Sequence, residues 1–253
     1  MFDSSIFEEN PDIDCYNKLR TEENKFDNIQ QVIDEQNSKR DNTIEKIKEN
    51  LNIKNIVFAC HHPIFSFKKK DEKCKFHCET EIIKFLLPFN VLSDKKFIYL
   101  CADLHLFQRS RIVIKYLDSS LTLEHVVVGT GGAELDDICN QGDITRKIES
   151  EKSKKESEIQ FLEFLPLEDS DINFVINEDY VIEEEIISIK SNGFLHCKFL
   201  EKIYMEFINT SNVTAEITES KGGKKSNKKR KKGNKNNKSK KRNKSKKNNR
   251  IKF

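Results

Sequence analysis

No stretch of this chain approaches the roughly 18 uninterrupted apolar residues that a membrane-spanning helix requires. The longest candidate, Ile82 to Leu92, is short and carries a lysine and a proline, so no membrane span is expected. The start, MFDSSIFEENPDID, has neither the basic residues nor the apolar run of a secretory signal. The cysteines number seven, an odd count without framework spacing, so reduced thiols are expected. Together these absences predict a soluble intracellular protein, cytoplasmic or nuclear. Glycine is also scarce, and none occurs before Gly129.

Acidic residues are missing from one region alone. Of the 45 Lys and Arg, 18 lie between Lys221 and Phe253, where there is no Asp or Glu. Residues 1–220 therefore hold 27 bases against all 42 acids, a balance of −15, although the whole chain carries +3. Beyond Ser220 no apolar residue appears until Ile251, so residues 221–253 cannot bury a core and are expected to be disordered. Such a run can neutralise several phosphates of a nucleic acid or another polyanion, or serve as a nuclear import signal. It can equally stay solvated and keep an acidic body soluble. The run has no aromatic residue before Phe253, which leaves no platform for base stacking and makes any binding sequence-blind.

The hydrophobic content of 36%, with 18 Phe, supports a real core in residues 1–220. Apolar positions at Phe26, Ile29, Val32, Ile33, Ile44, Ile47 and Leu51 follow helical spacing and predict one broken helix or two over Glu22–Leu51. NIVFAC, from Asn55, reads as a buried strand that stops at His61, and a lysine-rich loop containing CKFHC follows. Glu79–Phe89 reads as a helix, and KFIYLCADLH (Lys96–His105) as a second buried strand ending in polar residues. This is an α/β order, in which ligands gather where strands end. Arg111–Leu117 and Leu123–Gly132 predict further strands, and Gln141–Lys155 a charged connection. INFVIN, EEEIISIKS, GFLHCKF and KIYMEFINT alternate as antiparallel strands that would extend a sheet.

Two adjacent histidines, His61 and His62, sit between an apolar strand and Pro63, and the residues alone allow either a metal site or a simple turn. In CKFHC, Cys-x3-Cys with one interposed histidine lacks the second ligand pair a zinc site needs. His125 and His196 fall within strand patterns and read as packing or surface residues. The glycines from Gly129 suit either a turn or a close approach of backbone to a ligand.

ACHHPIFS, YLCADLHLFQ and HVVVGTGG, in that order, resemble the second half of a calcineurin-like metallophosphoesterase, closest to the purple (tartrate-resistant) acid phosphatase branch. That branch reads H-x-P, then G-H-x-H, then a strand running into G-x-G. The similarity spans about residues 53–208. It implies a four-layer α/β/β/α sandwich in which two divalent or trivalent metal ions (Fe, Mn, Zn or Mg) hydrolyse phosphate monoesters at strand ends. On this resemblance His61 and Asp103 are ligands of one metal and His105 of the other. His62 falls at the variable position and is not expected to ligate. Asp103 replaces a histidine, as a ligand retuned toward harder cations or as a drifted remnant. His77 stands where relatives place a histidine that protonates the leaving group, or is a plain loop residue beside Cys74 and Cys78.

The family's first-half motifs, G-D-x-x-D and G-N-H, are glycine-anchored, and no glycine precedes Gly129. FDSS at Phe2–Ser5 resembles the strand that follows G-N-H. The expectation is an N-terminally incomplete domain over residues 1–220, whose other ligands come from an upstream segment or a partner chain, followed by the basic tail. The alternative is a catalytically dead remnant that acts through its tail as a nucleic-acid or protein-binding module.

Overall fold

The computed structural model describes residues 13–18, 20–130, 134–154, 161–170, 172–176, 186–199 and 203–210. The strand expected at Phe2–Ser5 and the basic tail at 221–253 lie outside them. After a short helix α1 (Ile13–Asn17) comes α2 (Ile29–Glu49). A separate 3-10 turn at Glu22–Asn24 precedes α2, so the helical pattern resolves into one turn and one long helix. The Asn28 side chain caps α2 by accepting the Gln31 N–H, satisfying an amide that has no partner inside the helix. Its buried stripe is Val32, Ile44 and Ile47.

Then follow β1 (Asn55–Ala59), β2 (Phe65–Lys70), β3 (Lys73–Cys78), α3 (Thr80–Leu86), β4 (Lys96–Cys101), β5 (Phe107–Tyr116), β6 (Ser119–Val128) and α4 (Gln141–Lys152). β7 (Leu162–Leu165), β8 (Asn173–Ile176), β9 (Ile186–Ile189), β10 (Gly193–Phe199) and β11 (Ile203–Asn209) complete the order. The main sheet runs β1-β4-β6-β5, with β1, β4 and β6 parallel and β5 antiparallel to β6. β7 and β9 share the outer edge of β5, β7 along Arg111–Ile114 and β9 along Phe107–Ser110. The fold is mixed α/β, and among the described residues no helix is long and apolar enough to cross a membrane.

Both faces of the sheet are covered, because its strands alternate apolar residues to either side. One face packs Tyr99, Leu123 and Val127 with Ile44 and Ile47 of α2, Ile82 and Phe85 of α3, Ile144 and Ile148 of α4, and Phe65 and Phe67 of β2. The other packs Ile98, Phe107 and Val126 against Ile203, Met205 and Phe207 of a second, three-stranded sheet in the order β10-β11-β8.

Four expectations change. The lysine-rich loop is an antiparallel β2–β3 hairpin. Phe65 and Phe67 are fully buried while Lys70, Lys73 and Lys75 face solvent, and the density of lysine masks that alternation. The charged connection is α4, capped by Asn140 accepting the Asp143 N–H at 2.9 Å and anchored by Ile144 and Ile148 one turn apart. The four strands expected from INFVIN to KIYMEFINT do not all extend one sheet in antiparallel fashion, since of these only β9 joins the main sheet and β8 runs parallel to β11. Finally, Cys74 and Cys139 form a disulfide across 65 residues. The Lys69 N–H donates to the Asp137 carbonyl at 2.8 Å, which lays the second cysteine against the hairpin. That contact is invisible in cysteine spacing, and it removes Cys74 as a zinc ligand. Cys60, Cys78, Cys101 and Cys197 remain thiols.

Between the two sheets lies a buried ion pair, Arg109 Nη2 to Glu124 Oε2 at 3.2 Å, with both side chains under 10% exposed. Burial pulls the Arg109 pKa down and Glu124 opposes that shift. Arg109→Met should cost about 3–5 kcal/mol because it strands a buried carboxylate, whereas the pair replacement Arg109→Met with Glu124→Leu should recover most of the loss. Urea unfolding of the three proteins checks this, and a double variant no more stable than Arg109→Met would contradict it.

Candidate metal centre

Two parallel strands, β1 and β4, end side by side, and their pairing continues one step past each strand. The Cys60 N–H donates to the Leu100 carbonyl and the Ala102 N–H to the His61 carbonyl, both at 2.9 Å. The residues that follow are therefore neighbours for a backbone reason.

The HHP turn is held from beneath by buried side chains. Tyr99, fully buried, donates its hydroxyl to the His62 carbonyl at 2.9 Å. Burial, aided by the nearby Cys60 thiol, raises the Tyr99 pKa, so the phenol keeps the proton it donates. The Ile64 N–H donates to His125 Nε2 at 3.2 Å, and the Ile64 carbonyl accepts the Glu79 N–H at 2.8 Å. His125 is fully buried, its ring stacked on Phe65 with centroids 4.5 Å apart. Desolvation pushes its pKa down to about 3. It is a neutral imidazole that accepts at Nε2 and so carries its proton at Nδ1. It serves as a packing and positioning residue, as its strand pattern predicts.

Asp103 sits on a turn in the left-handed region, φ 61°, where the Leu104 N–H reaches back to the Ala102 carbonyl at 2.7 Å. Gly129, just past β6, backs this turn. A Cβ there would fall on the Leu104 carbonyl, so only glycine permits the approach. One glycine of the G-T-G-G run thus has a packing role against the Asp103 loop.

His61, His62 and Asp103 each offer a ligand atom, and the three atoms lie within 4.8 Å of one another. The His61 and His62 rings meet edge to face at 4.7 Å, and His61 Nε2 is 3.7 Å from Asp103 Oδ1. The His61 and Asp103 side chains are 62% and 48% exposed, so the group opens to solvent. Two imidazoles and a carboxylate fit a borderline divalent cation such as zinc, iron or manganese.

Of the residues expected at the site, His61 and Asp103 come together. His62, set aside at a variable position, joins them, its ring meeting that of His61 edge to face. His105 lies outside this group. It is exposed, and Asp136 holds its backbone at both ends, Oδ2 accepting the His105 N–H and the Asp136 N–H donating to the His105 carbonyl, each at 2.9 Å. His77, on β3 rather than in a loop, has Nε2 2.5 Å from Glu79 Oε1. The His77 contact, with a smaller contribution from His62, holds the Glu79 carboxyl below its usual range against the opposing effect of burial. Glu79 thus contacts His77 and feels the charge of His62, a link that sequence reasoning missed. The one signal was its place between β3 and α3, where chains pass close to strand ends. His196 lies away on the second sheet, 3.7 Å from Glu206.

No protein-family model, no curated protein and no solved structure matches this chain.

The depressed pKa of His125 has a readable sign. Between the ordinary value of 6.5 and about 3 the unfolded chain binds a proton at this position and the folded chain does not. The stability it confers is complete above pH 6.5 and is lost as pH falls toward 3. Between pH 6 and 4 the stability gap between the wild type and His125→Gln should shrink by about 1.4 kcal/mol per pH unit. Denaturant titrations at stepped pH measure it, and parallel curves would contradict it.

Proposed function

We propose that this chain is a metal-dependent phosphoesterase-like protein that hydrolyses phosphate monoesters. The observation that carries the reading is the convergence of His61, His62 and Asp103 beyond the C-terminal ends of β1 and β4. The motifs around them resemble calcineurin-like metallophosphoesterases. A helix layer on one face of the sheet and a second sheet on the other support a partial four-layer sandwich. Among the described residues β1 pairs with β4 alone, which leaves an edge where further strands of a complete domain would add.

In this reading His61, His62 and Asp103 hold one cation, which when bound polarises a phosphoryl oxygen and lowers the pKa of its water. His105 belongs to a second metal, with the remaining ligands supplied from outside the described residues or by a partner chain. Tyr99 and His125 fix the turn that carries the two imidazoles. Glu79 orients the His77 ring through Nε2, so a proton passed to a leaving alkoxide would come from Nδ1. The exposure of the cluster suits a substrate that arrives from bulk solvent.

A second reading rests on the 18 Lys and Arg of residues 221–253, which would bind a polyanion whether or not the metal centre works. Hydrolysis of a chromogenic aryl phosphate, assayed with added Mn, Zn, Fe and Mg, separates the two. The phosphoesterase reading expects activity abolished by a chelator and lowered more than about a hundredfold in His61→Ala and Asp103→Ala, with His196→Ala unaffected. No turnover with any of the four metals would overturn it. Salt-sensitive heparin binding lost only on deleting residues 221–253 would then favour the module.

A further inference from the structure

The Cys74–Cys139 disulfide joins two elements that have supports of their own. β2 and β3 pair over six residues, from Phe65 opposite Cys78 to Lys70 opposite Lys73, and they bury Phe65 and Phe67 in the core. α4 is capped by Asn140 and anchored by Ile144 and Ile148. Neither element needs the covalent bond to keep its own hydrogen bonds. What the bond fixes is the short segment from Asp136 to Cys139, which it holds against the hairpin.

That segment also reaches the loop at the end of β4. Asp136 Oδ2 accepts the His105 N–H and the Asp136 N–H donates to the His105 carbonyl, each at 2.9 Å. Lys68 Nζ lies 3.7 Å from Asp136 Oδ1. The Asp137 carbonyl accepts the Lys69 N–H at 2.8 Å, and its carboxylate meets Lys190. Within four residues the chain therefore runs from the backbone of His105, two positions past Asp103, to the sulfur of Cys139. A covalent bond at one end and a pair of hydrogen bonds at the other make a continuous tie between the hairpin and the Asp103–His105 loop.

The two sulfurs differ in access. Cys139 is only 4% exposed, whereas Cys74 is half-buried and lines a solvent-open cleft with Lys73 of the hairpin and Asp143, Arg146 and Lys147 of α4. A thiolate arriving from solvent thus meets Cys74 Sγ first. Its attack forms a new S–S bond to Cys74 and breaks the bond to Cys139, whose sulfur leaves with the electron pair and takes a proton from solvent. The second thiol of a dithiol then displaces the Cys74 sulfur, and the reductant closes its own disulfide. Two electrons and two protons have then passed from the dithiol to the cysteine pair.

We propose that Cys74–Cys139 is a redox-sensitive latch on the loop that carries Asp103 and His105, closed when oxidised and released by a dithiol reductant. Its consequence for catalysis rests on the phosphoesterase reading, and the latch itself does not.

Residue-resolved amide hydrogen exchange on the full-length chain, before and after reduction with dithiothreitol, tests the latch without any metal. The oxidised chain should yield the linked Cys74–Cys139 peptide pair. On reduction the His105 and Asp136 amides should exchange at least about tenfold faster, while those of the β4–β6 ladder keep their rates. Cys74→Ser should show the fast rates without reductant and no further change with it. Should that variant fail to fold, the wild type in its two redox states carries the comparison. Absence of the linked peptide pair, unchanged exchange at His105 and Asp136, or equal acceleration throughout the β4–β6 ladder would overturn the proposal. For the catalytic consequence, aryl phosphate hydrolysis with Mn is compared between the oxidised chain and the chain reduced and then desalted under argon. Turnover should fall at least about tenfold on reduction, and equal turnover in the two states would overturn the regulatory role. No turnover in either state counts against the phosphoesterase reading, and the exchange rates then decide the latch alone.

Discussion

The hydrogen bond from the Ala102 amide to the His61 carbonyl is the constraint on which the grouping of His61, His62 and Asp103 depends. It extends the β1–β4 ladder beyond the strands and joins the HHP turn to the Asp103 turn. Without it the two segments would be independent loops, and assembling two imidazoles and a carboxylate would cost the ordering of both. Every other support acts on this joined unit. Tyr99 and His125 grip the HHP turn from the helix-side core, while Gly129 lets the Leu104 carbonyl press against the end of β6. The side chains that would touch a ligand are exposed, and the groups that place them are buried, an arrangement that separates a rigid support from a reactive surface.

The same sheet carries polar groups at both poles. Beyond the C-terminal ends of β1 and β4 it presents two imidazoles and a carboxylate. At the N-terminal end of β4 it gathers Lys95, Lys96, Arg111 and Glu124. Between the two, Arg109 and Glu124 lie buried between the sheets. Such a pair adds little net stability over an apolar replacement.

Strands with continuous apolar character were legible in the sequence. β1 and β4 lie within the predicted ranges because Ile56, Phe58, Phe97 and Tyr99 are core residues whose β-branched and aromatic side chains leave one reading. The β2–β3 hairpin was not, since lysine dominates its solvent face and hides the alternation of Phe65 and Phe67. α4 was read as a connection because only Ile144 and Ile148 mark its buried face. At the site, His61 and Asp103 could be singled out as polar residues that end buried strands. His62 and Glu79 could not, because their placement depends on Tyr99 and His125 holding the segment around them and on the position of α3, which are three-dimensional facts. The disulfide between Cys74 and Cys139 escaped for the same reason.

The central claim is that His61, His62 and Asp103 form a cation site. Metal analysis of the purified full-length chain, combined with X-ray absorption on the bound ion, tests it most directly. The account predicts tightly bound divalent metal with two imidazole nitrogens in its shell, falling to one in His62→Ala. A chain that retains no metal after dialysis, or a bound ion with an oxygen-only shell, would contradict it.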